Sequence, residues 1–330
     1  MRVQQIQTFG DPSVFEAADI DTPTPGRGEI LVRQMAASVN PVDTKIRANG
    51  PPIAPALPAV LGCDIAGTVE AVGPGVTRFA IGDAVYGCAG GMAGRGGAYA
   101  EFIAAEANLM AHAPTSLEWR EAAALPLVVI TAWEALIDRC CVKSGDHVLI
   151  HGGAGGVGNV AVQLAKAQGA RVATTVSTEQ KANIVRDLGA DEIIYYRDEA
   201  VTDYVDRLTA GRGFDIVFDT TGGSDLATAF AGVRANGQVS TITAQYSADL
   251  TPMHLKSLSL HVVFMATRML HGIDTNHHGA ILDKVSALVA AGQLRPLVDS
   301  NRFTLADVGD AHRHLASGQA IGKIVIDIGA

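Results

Sequence analysis

Cysteine is scarce in this 330-residue chain, and its four copies (Cys63, Cys88, Cys140 and Cys141) form neither a CxxC pair nor a spaced framework. That excludes a disulfide-built fold and suits a reducing cytoplasm. The neighbours Cys140 and Cys141 read as small residues at a helix end. Aromatic residues make up only 5% of the chain, too few for a sandwich packed around aromatic pairs. The net charge is −9 and no run of Lys and Arg exists to neutralise a nucleic-acid backbone, which excludes general nucleic-acid binding. Long apolar runs are missing as well. The most apolar stretch, Ala122 to Ile137, contains Pro126, Trp133 and Glu134 and is too short to span a bilayer, so no membrane partner is expected. The start, Met1-Arg2-Val3-Gln4-Gln5, lacks the apolar core of a secretory signal. There is no internal repeat and no low-complexity linker.

What is present is a large apolar fraction, 48%, with 18% charged residues and 36 glycines. A chain of this length predicts two domains, each with its own core. Up to about Glu121 the pattern is short strands punctuated by turns. Pro23-Thr24-Pro25-Gly26 and Gly73-Pro74-Gly75 flank runs such as Ile30-Leu31-Val32 and Thr68-Val69-Glu70-Ala71-Val72. This reads as a mostly β unit.

Beyond Glu121 the rhythm becomes strand–helix–strand. Strands are predicted at His147 to His151, Arg171 to Val176, Ile193 to Tyr195, Phe214 to Phe218, Gln238 to Thr243 and Leu258 to Met265. Between them lie helices after the first glycine-rich turn, at Glu179 to Leu188, Val201 to Leu208 and Ser224 to Arg234. Strands alternating with helices of this length predict parallel βαβ units, and six strands complete a doubly wound sheet. One further helix, Ala280 to Ala291, leads to Phe303-Thr304-Leu305 and a last strand, Lys323 to Ile328. That tail is too small to stand alone and should return to the first unit. The expected domains are residues 1–121 with 271–330, and residues 122–270.

The sharpest motif is Gly153-Ala154-Gly155-Gly156-Val157-Gly158, which follows a short apolar strand and opens an amphipathic helix. In that setting the glycines permit a tight turn, and unpaired N–H groups at the helix start face a pyrophosphate. Which dinucleotide binds is decided at the end of the second strand, where an NAD site usually places a carboxylate for the ribose 2′-hydroxyl. This chain reads Thr174-Thr175-Val176-Ser177-Thr178 there, with no carboxylate before Glu179. Ser177 and Thr178 can donate to a 2′-phosphate, and Lys181, Tyr196 and Arg197 can reach the same pocket. NADPH is expected over NADH.

Several segments together resemble the zinc-independent quinone oxidoreductase branch of the medium-chain dehydrogenase/reductase superfamily. They are Asn40-Pro41-Val42-Asp43, Leu61-Gly62-Cys63-Asp64-Ile65-Ala66-Gly67-Thr68-Val69, Ile81-Gly82-Asp83-Ala84-Val85-Tyr86 and Gly97-Ala98-Tyr99-Ala100-Glu101. Thr131-Ala132-Trp133-Glu134-Ala135-Leu136, the glycine-rich turn, Val217-Phe218-Asp219-Thr220-Thr221-Gly222-Gly223 and Gly322-Lys323 complete the set, in the family's order. The resemblance implies an α/β protein with a GroES-like, mostly β catalytic domain, a six-stranded Rossmann doubly wound parallel sheet and a homodimer. It adds Thr220, Thr243 and Lys323 to the cofactor-binding set and puts Asn40 and Thr131 near the nicotinamide. Asn40 also reads as a turn residue before Pro41, and Thr131 as a helix-start residue.

Two departures qualify the resemblance. Zinc-dependent members carry a Cys ligand near Asn40 to Asp43 and a His-Glu pair where this chain has Cys63-Asp64, and the four-cysteine lobe is missing. The histidines His277-His278 and His312/His314 sit at spacings that do not share a helix face. No metal is expected. Quinone oxidoreductases also often carry a tyrosine where this chain has Lys45, read either as a donor to substrate or as an exposed charge. Without a Lewis acid, the expected chemistry is hydride transfer to a quinone or an α,β-unsaturated carbonyl. Two rivals remain: reduction of enoyl thioesters or alkenals, and a non-catalytic NADPH-binding protein like the lens crystallins related to this family.

Overall fold

The computed structural model describes residues 1–329 apart from Ala93, Ser224 and Tyr246. By contacts the chain divides into two units, Met1–Leu127 with Ala266–Ala330, and Val128–Met265.

The first unit opens with β1 (Arg2–Ile6), β2 (Phe15–Asp19), β3 (Glu29–Val39) and α1 (Pro41–Asn49). It continues through β4 (Ala59–Val60), β5 (Asp64–Val72), β6 (Ala84–Cys88), β7 (Phe102–Glu106) and β8 (Met110–His112). Helices α2 (Trp119–Ala123) and α3 (Pro126–Trp133) follow, and α3 carries the chain across the unit boundary. The junction therefore falls inside α3, a few residues beyond the rhythm change at Glu121. Pro126 suits the first turn of α3, because its missing N–H would have no partner there.

In the second unit, β9 (His147–Ile150), α4 (Gly156–Ala167), β10 (Arg171–Val176), α5 (Glu179–Asp187) and β11 (Glu192–Tyr195) make the first half. The second half is α6 (Val201–Thr209), β12 (Phe214–Asp219), α7 (Asp225–Gly232), β13 (Val233–Thr241), α8 (Thr251–Lys256) and β14 (Ser259–Val262). Among the described residues these strands form one six-stranded sheet in the order β11-β10-β9-β12-β13-β14, every neighbouring pair parallel. That is the 3-2-1-4-5-6 order of a doubly wound dinucleotide fold. Its strands are buried on both faces, as in Val148, Leu149 and Ile150 of β9, because helices cover both sides.

The chain then returns to the first unit as α9 (Thr267–His271), α10 (Asn276–Ala290), β15 (Phe303–Thr304), α11 (Val308–Ala316) and β16 (Ile324–Asp327). Here the sheet runs β15-β16-β3-β5-β6-β8, with β7 pairing β3. The antiparallel register Ile324↔Val39 brings the end of β3 beside the start of β16.

Two sequence expectations shift. The helix expected from Ser224 to Arg234 ends at Gly232, and its first residue lies outside the described residues. Strand β13 begins at Val233, pairs once with Phe214, and resumes at Gln238 opposite Ile216. The interruption holds Asn236 at φ +56, a left-handed turn inside the strand that asparagine tolerates. No helix among the described residues is long and apolar enough to cross a membrane. All four cysteines are free thiols.

Candidate active site

In the second unit, the end of β9 runs straight into the start of α4. Gly155 stands at the N-cap of α4 with no side chain capping it, so the first N–H groups of the helix have no side-chain acceptor. The turn before it is pinned from below: Gly152 N–H donates to Thr175 Oγ1 (2.8 Å) and Gly153 N–H to the Thr175 carbonyl (3.2 Å). A Cβ on Gly158 would lie 2.1 Å from the Gly152 carbonyl oxygen, and one on Gly153 2.2 Å from Thr174 Oγ1. The glycines are therefore required by packing. An uncapped helix start behind a close-packed glycine turn fits a dinucleotide pyrophosphate. Gly155 is exposed and Gly156 and Val157 half-buried, while Gly158 is buried under the turn.

The end of β10 gives Ser177, half-buried, and Thr178, exposed. Thr178 caps α5 by accepting from the Lys181 N–H at 3.3 Å, which leaves its hydroxyl proton available to donate. Lys181 is half-buried, and its ammonium makes no hydrogen bond or ion pair to another described residue. Glu179, the first carboxylate after β10, receives the Tyr195 hydroxyl and the Arg186 guanidinium (2.8 Å). Those two partners hold its carboxyl below the ordinary range. Tyr196 is 52% exposed and Arg197 lies over its ring, 5.6 Å from the centroid.

The C-terminal ends of β12 and β13 form a third cluster. Asp219 accepts from Thr221 N–H (3.1 Å), Gly222 N–H (2.9 Å) and Thr241 Oγ1 (2.9 Å). Burial opposes its charge, but the His151 imidazole and these donors outweigh burial and hold the carboxyl at about 2. Thr220 donates to the His151 carbonyl (2.6 Å), and Thr243 N–H to Thr241 Oγ1 (3.3 Å). Thr131 is buried on α3.

In the first unit the predicted residues separate. Asn40 and Lys323 meet: the ammonium donates to Asn40 Oδ1 and to the Val39 carbonyl (3.1 Å), and Asn40 Nδ2 donates to Asp64 Oδ2 (2.8 Å). Both are buried, Asn40 with no exposed surface and Lys323 with 4%. Thus Lys323, expected to touch the cofactor, has its charge engaged inside the unit. Lys45 is exposed on α1, and its ammonium makes no hydrogen bond or ion pair to another described residue.

Sequence reasoning missed a neighbouring buried network. Asp43 Oδ2 accepts the Asn40 N–H (2.8 Å) and Oδ1 the Cys63 thiol (3.0 Å). The Tyr99 hydroxyl lies 3.4 Å from Asp43 Oδ2 and 3.1 Å from His312 Nε2. Burial pushes the Asp43 carboxyl up to about 6 and, with the Arg47 charge, His312 down to about 3. In the sequence, Asp43, Cys63 and Tyr99 stand in separate motif segments with nothing to link them; in the structure Asp43 is buried on α1 with Ile46 and Arg47.

Residues 26–115 match the alcohol dehydrogenase GroES-like domain family, and residues 188–326 match the zinc-binding dehydrogenase family. A quinone oxidoreductase of Pseudomonas aeruginosa is 34% identical, covering 98% of this chain and 98% of that protein. A mycocerosic acid synthase-like polyketide synthase of Mycobacterium tuberculosis is 32% identical over 98% of this chain, which spans 15% of that protein. Among solved structures, an alcohol dehydrogenase superfamily protein from Novosphingobium aromaticivorans is 40% identical with a TM-score of 0.94, covering 99% of each chain. Escherichia coli quinone oxidoreductase complexed with NADPH is 28% identical with a TM-score of 0.88, covering 99% of this chain and 100% of that one.

The zinc in the second family's description does not fit this donor set. Where zinc enzymes of the resemblance carry ligands, this chain has Asn40, Cys63 and Asp64. The hydrogen bond with Cys88, together with burial, raises the Cys63 thiol well above its ordinary range, and Asp64 already faces the Lys323 ammonium at 3.4 Å. A protonated thiol, an amide and an ammonium-paired carboxylate do not make a catalytic zinc site. Fold, glycine turn and relatives agree: the chain belongs to the medium-chain dehydrogenase/reductase superfamily, in its quinone oxidoreductase branch, and is an oxidoreductase.

Proposed function

We propose that this protein is a zinc-independent, NADPH-dependent reductase of quinones or α,β-unsaturated carbonyls. The observation that carries the reading is the end of β10, where donors stand and the nearest carboxylate is tied up. Ser177, Thr178 and Lys181 suit a 2′-phosphate, while Glu179 is occupied by Tyr195 and Arg186. Tyr196 with Arg197 offers a flat surface for the adenine. The α4 N-terminus with Gly153, Gly155, Gly156, Val157 and Gly158 takes the pyrophosphate, and Thr220 and Thr243 stand at the strand ends where such sheets bind ligands. When bound, NADPH supplies the hydride. Thr131 and Lys45 are the candidate donors for the oxygen on which negative charge develops, and solvent supplies the proton that completes reduction. Asn40 acts in this reading by position, since its side chain is fully buried.

The test follows nicotinamide absorbance with NADPH and NADH against quinones, enones and alkenals. One acceptor class is expected to turn over, with NADPH preferred. Lys181→Ala should raise KM for NADPH about tenfold, about 1.4 kcal/mol, and leave KM for NADH nearly unchanged. Equal shifts for both cofactors would remove Lys181 from the 2′-phosphate.

The polyketide synthase relative favours a second reading, reduction of an enoyl thioester, and thioesters therefore belong in the same panel. NADPH binding with no acceptor reduced would favour a non-catalytic role. A homodimer completes the proposal. Strand β14 is the outer strand of its sheet and exposes Val262 (51%), with Phe264 (46%) just after it. An apolar free edge of this kind invites pairing with a second copy. Val262→Lys should convert a dimer to a monomer by light scattering; an unchanged mass would place the interface elsewhere.

A further inference from the structure

Asp64 opens β5 with no exposed surface, and each of its oxygens holds a different part of the first unit. Oδ2 accepts from Ser38 Oγ (2.6 Å), Asn40 Nδ2 (2.8 Å) and the Lys323 ammonium (3.4 Å). Oδ1 accepts the Leu127 N–H at 2.8 Å. Leu127 carries the first N–H of α3, since Pro126 has none, so Asp64 caps that helix and its charge suits the positive end. Lys323 in turn ties Asn40 Oδ1 and the Val39 carbonyl to the start of β16. Five segments meet at this one ion pair: the end of β3, the entry to α1, and the starts of β5, α3 and β16.

Stability does not explain why the pair is charged. A buried ion pair gives up two hydration shells, and apolar residues of similar volume often serve stability as well or better. What the charges add is convergence, because no apolar group could hold four donors from separate segments in one fixed geometry. Thr131 lies four residues beyond Leu127, one turn further along the same helix.

We propose that Asp64 and Lys323 are positioning residues for hydride transfer, fixing the entry of α1 and the start of the Thr131-bearing helix to a common buried ion pair. The proposal rests on the reductase reading for its kinetic readout. Misplacement of such groups by about 1 Å lowers turnover about a hundredfold.

The experiment compares Lys323→Met, Asp64→Asn and the double variant D64N/K323M with the wild type. It reads kcat, the NADPH Kd by fluorescence titration, melting temperature, and amide hydrogen exchange of residues 127–131. Each single variant leaves one charge buried alone, so melting temperature should fall, and the double variant should regain most of it. The double variant is nevertheless expected to keep a kcat lowered tenfold to a hundredfold, an NADPH Kd within about threefold of wild type, and faster exchange at 127–131. Recovery of kcat and exchange together with melting temperature would overturn the proposal and leave a structural pair. So would loss of kcat matched by equal loss of NADPH affinity. Should the wild type reduce no acceptor at all, the reductase reading fails. Exchange at 127–131 then decides the positioning claim by itself: acceleration in the double variant supports it, and unchanged protection overturns it.

Discussion

Gly158→Ala is expected to weaken NADPH binding at least about a hundredfold while leaving a folded protein. The added Cβ would sit 2.1 Å from the Gly152 carbonyl oxygen, 2.8 Å from its carbon and 2.9 Å from Gly153 Cα. All three are backbone atoms, so no side chain can swing away, and the 152–153 turn itself has to move. The cost to folding is that of local overpacking, about 1–3 kcal/mol. Binding suffers more, because a displaced turn no longer aims its N–H groups at the pyrophosphate. Hydrogen bonds to a charged group contribute about 1.5–3 kcal/mol each, so losing two of them removes at least about 3 kcal/mol. At 1.4 kcal/mol per tenfold, that is two orders of magnitude or more. Titration of NADPH fluorescence measures the affinity, and a melting curve of the same sample shows whether the variant is folded. A folded variant with affinity within threefold of wild type would mean that the pyrophosphate does not lie on this turn.

The contrast between this turn and the network around Asp64 shows what a single sequence discloses. The glycine turn, β9, α4 and the end of β10 lie within one continuous stretch, so spacing and periodicity expose them directly. The parallel, doubly wound sheet followed from the same rhythm, because parallel strands joined by helices have few ways to pack. The network is assembled from Ser38, Asn40, Asp43, Cys63, Asp64, Tyr99, His312 and Lys323, which no local pattern links. His312 arrives on α11, a helix that the sequence reading did not delimit. Lys323 was legible as part of a family motif but not as a buried cation, since only the pairing of β16 with β3 carries it to Val39 and Asn40. The start of strand β13 was missed for the reverse reason: its turn at Asn236 is local, and it interrupts a strand that long-range pairing nevertheless completes.

The Asp43–Tyr99–His312 network leads to a pH prediction whose two halves cancel in the wild type. Asp43 titrates at about 6 in the folded chain, from burial, against about 3.9 unfolded. Its folded-state proton therefore contributes stability that is fully present below pH 4 and lost as pH rises through 6. His312 is held neutral, by burial and then by the Arg47 charge, and titrates at about 3 against about 6.5 unfolded. Its contribution has the opposite sign: fully present above pH 6.5 and lost as pH falls toward 3. Between pH 4 and 6 the folded state holds one extra proton on Asp43, and the unfolded state one extra on His312. The difference in bound protons from this pair is then near zero, and with it the slope of stability against pH. Replacing Asp43 by Asn removes one half. The difference between variant and wild type should then change by about 1.4 kcal/mol per pH unit, with the variant losing stability as pH falls from 6 to 4. His312→Asn should give a slope of similar size and opposite sign, gaining relative stability on acidification. Taking each variant as a difference from the wild type cancels the depressed carboxylates elsewhere, such as Asp219. Urea unfolding at half-unit steps from pH 4 to 7 measures both slopes. Parallel curves for all three proteins would show that neither group titrates as its burial requires.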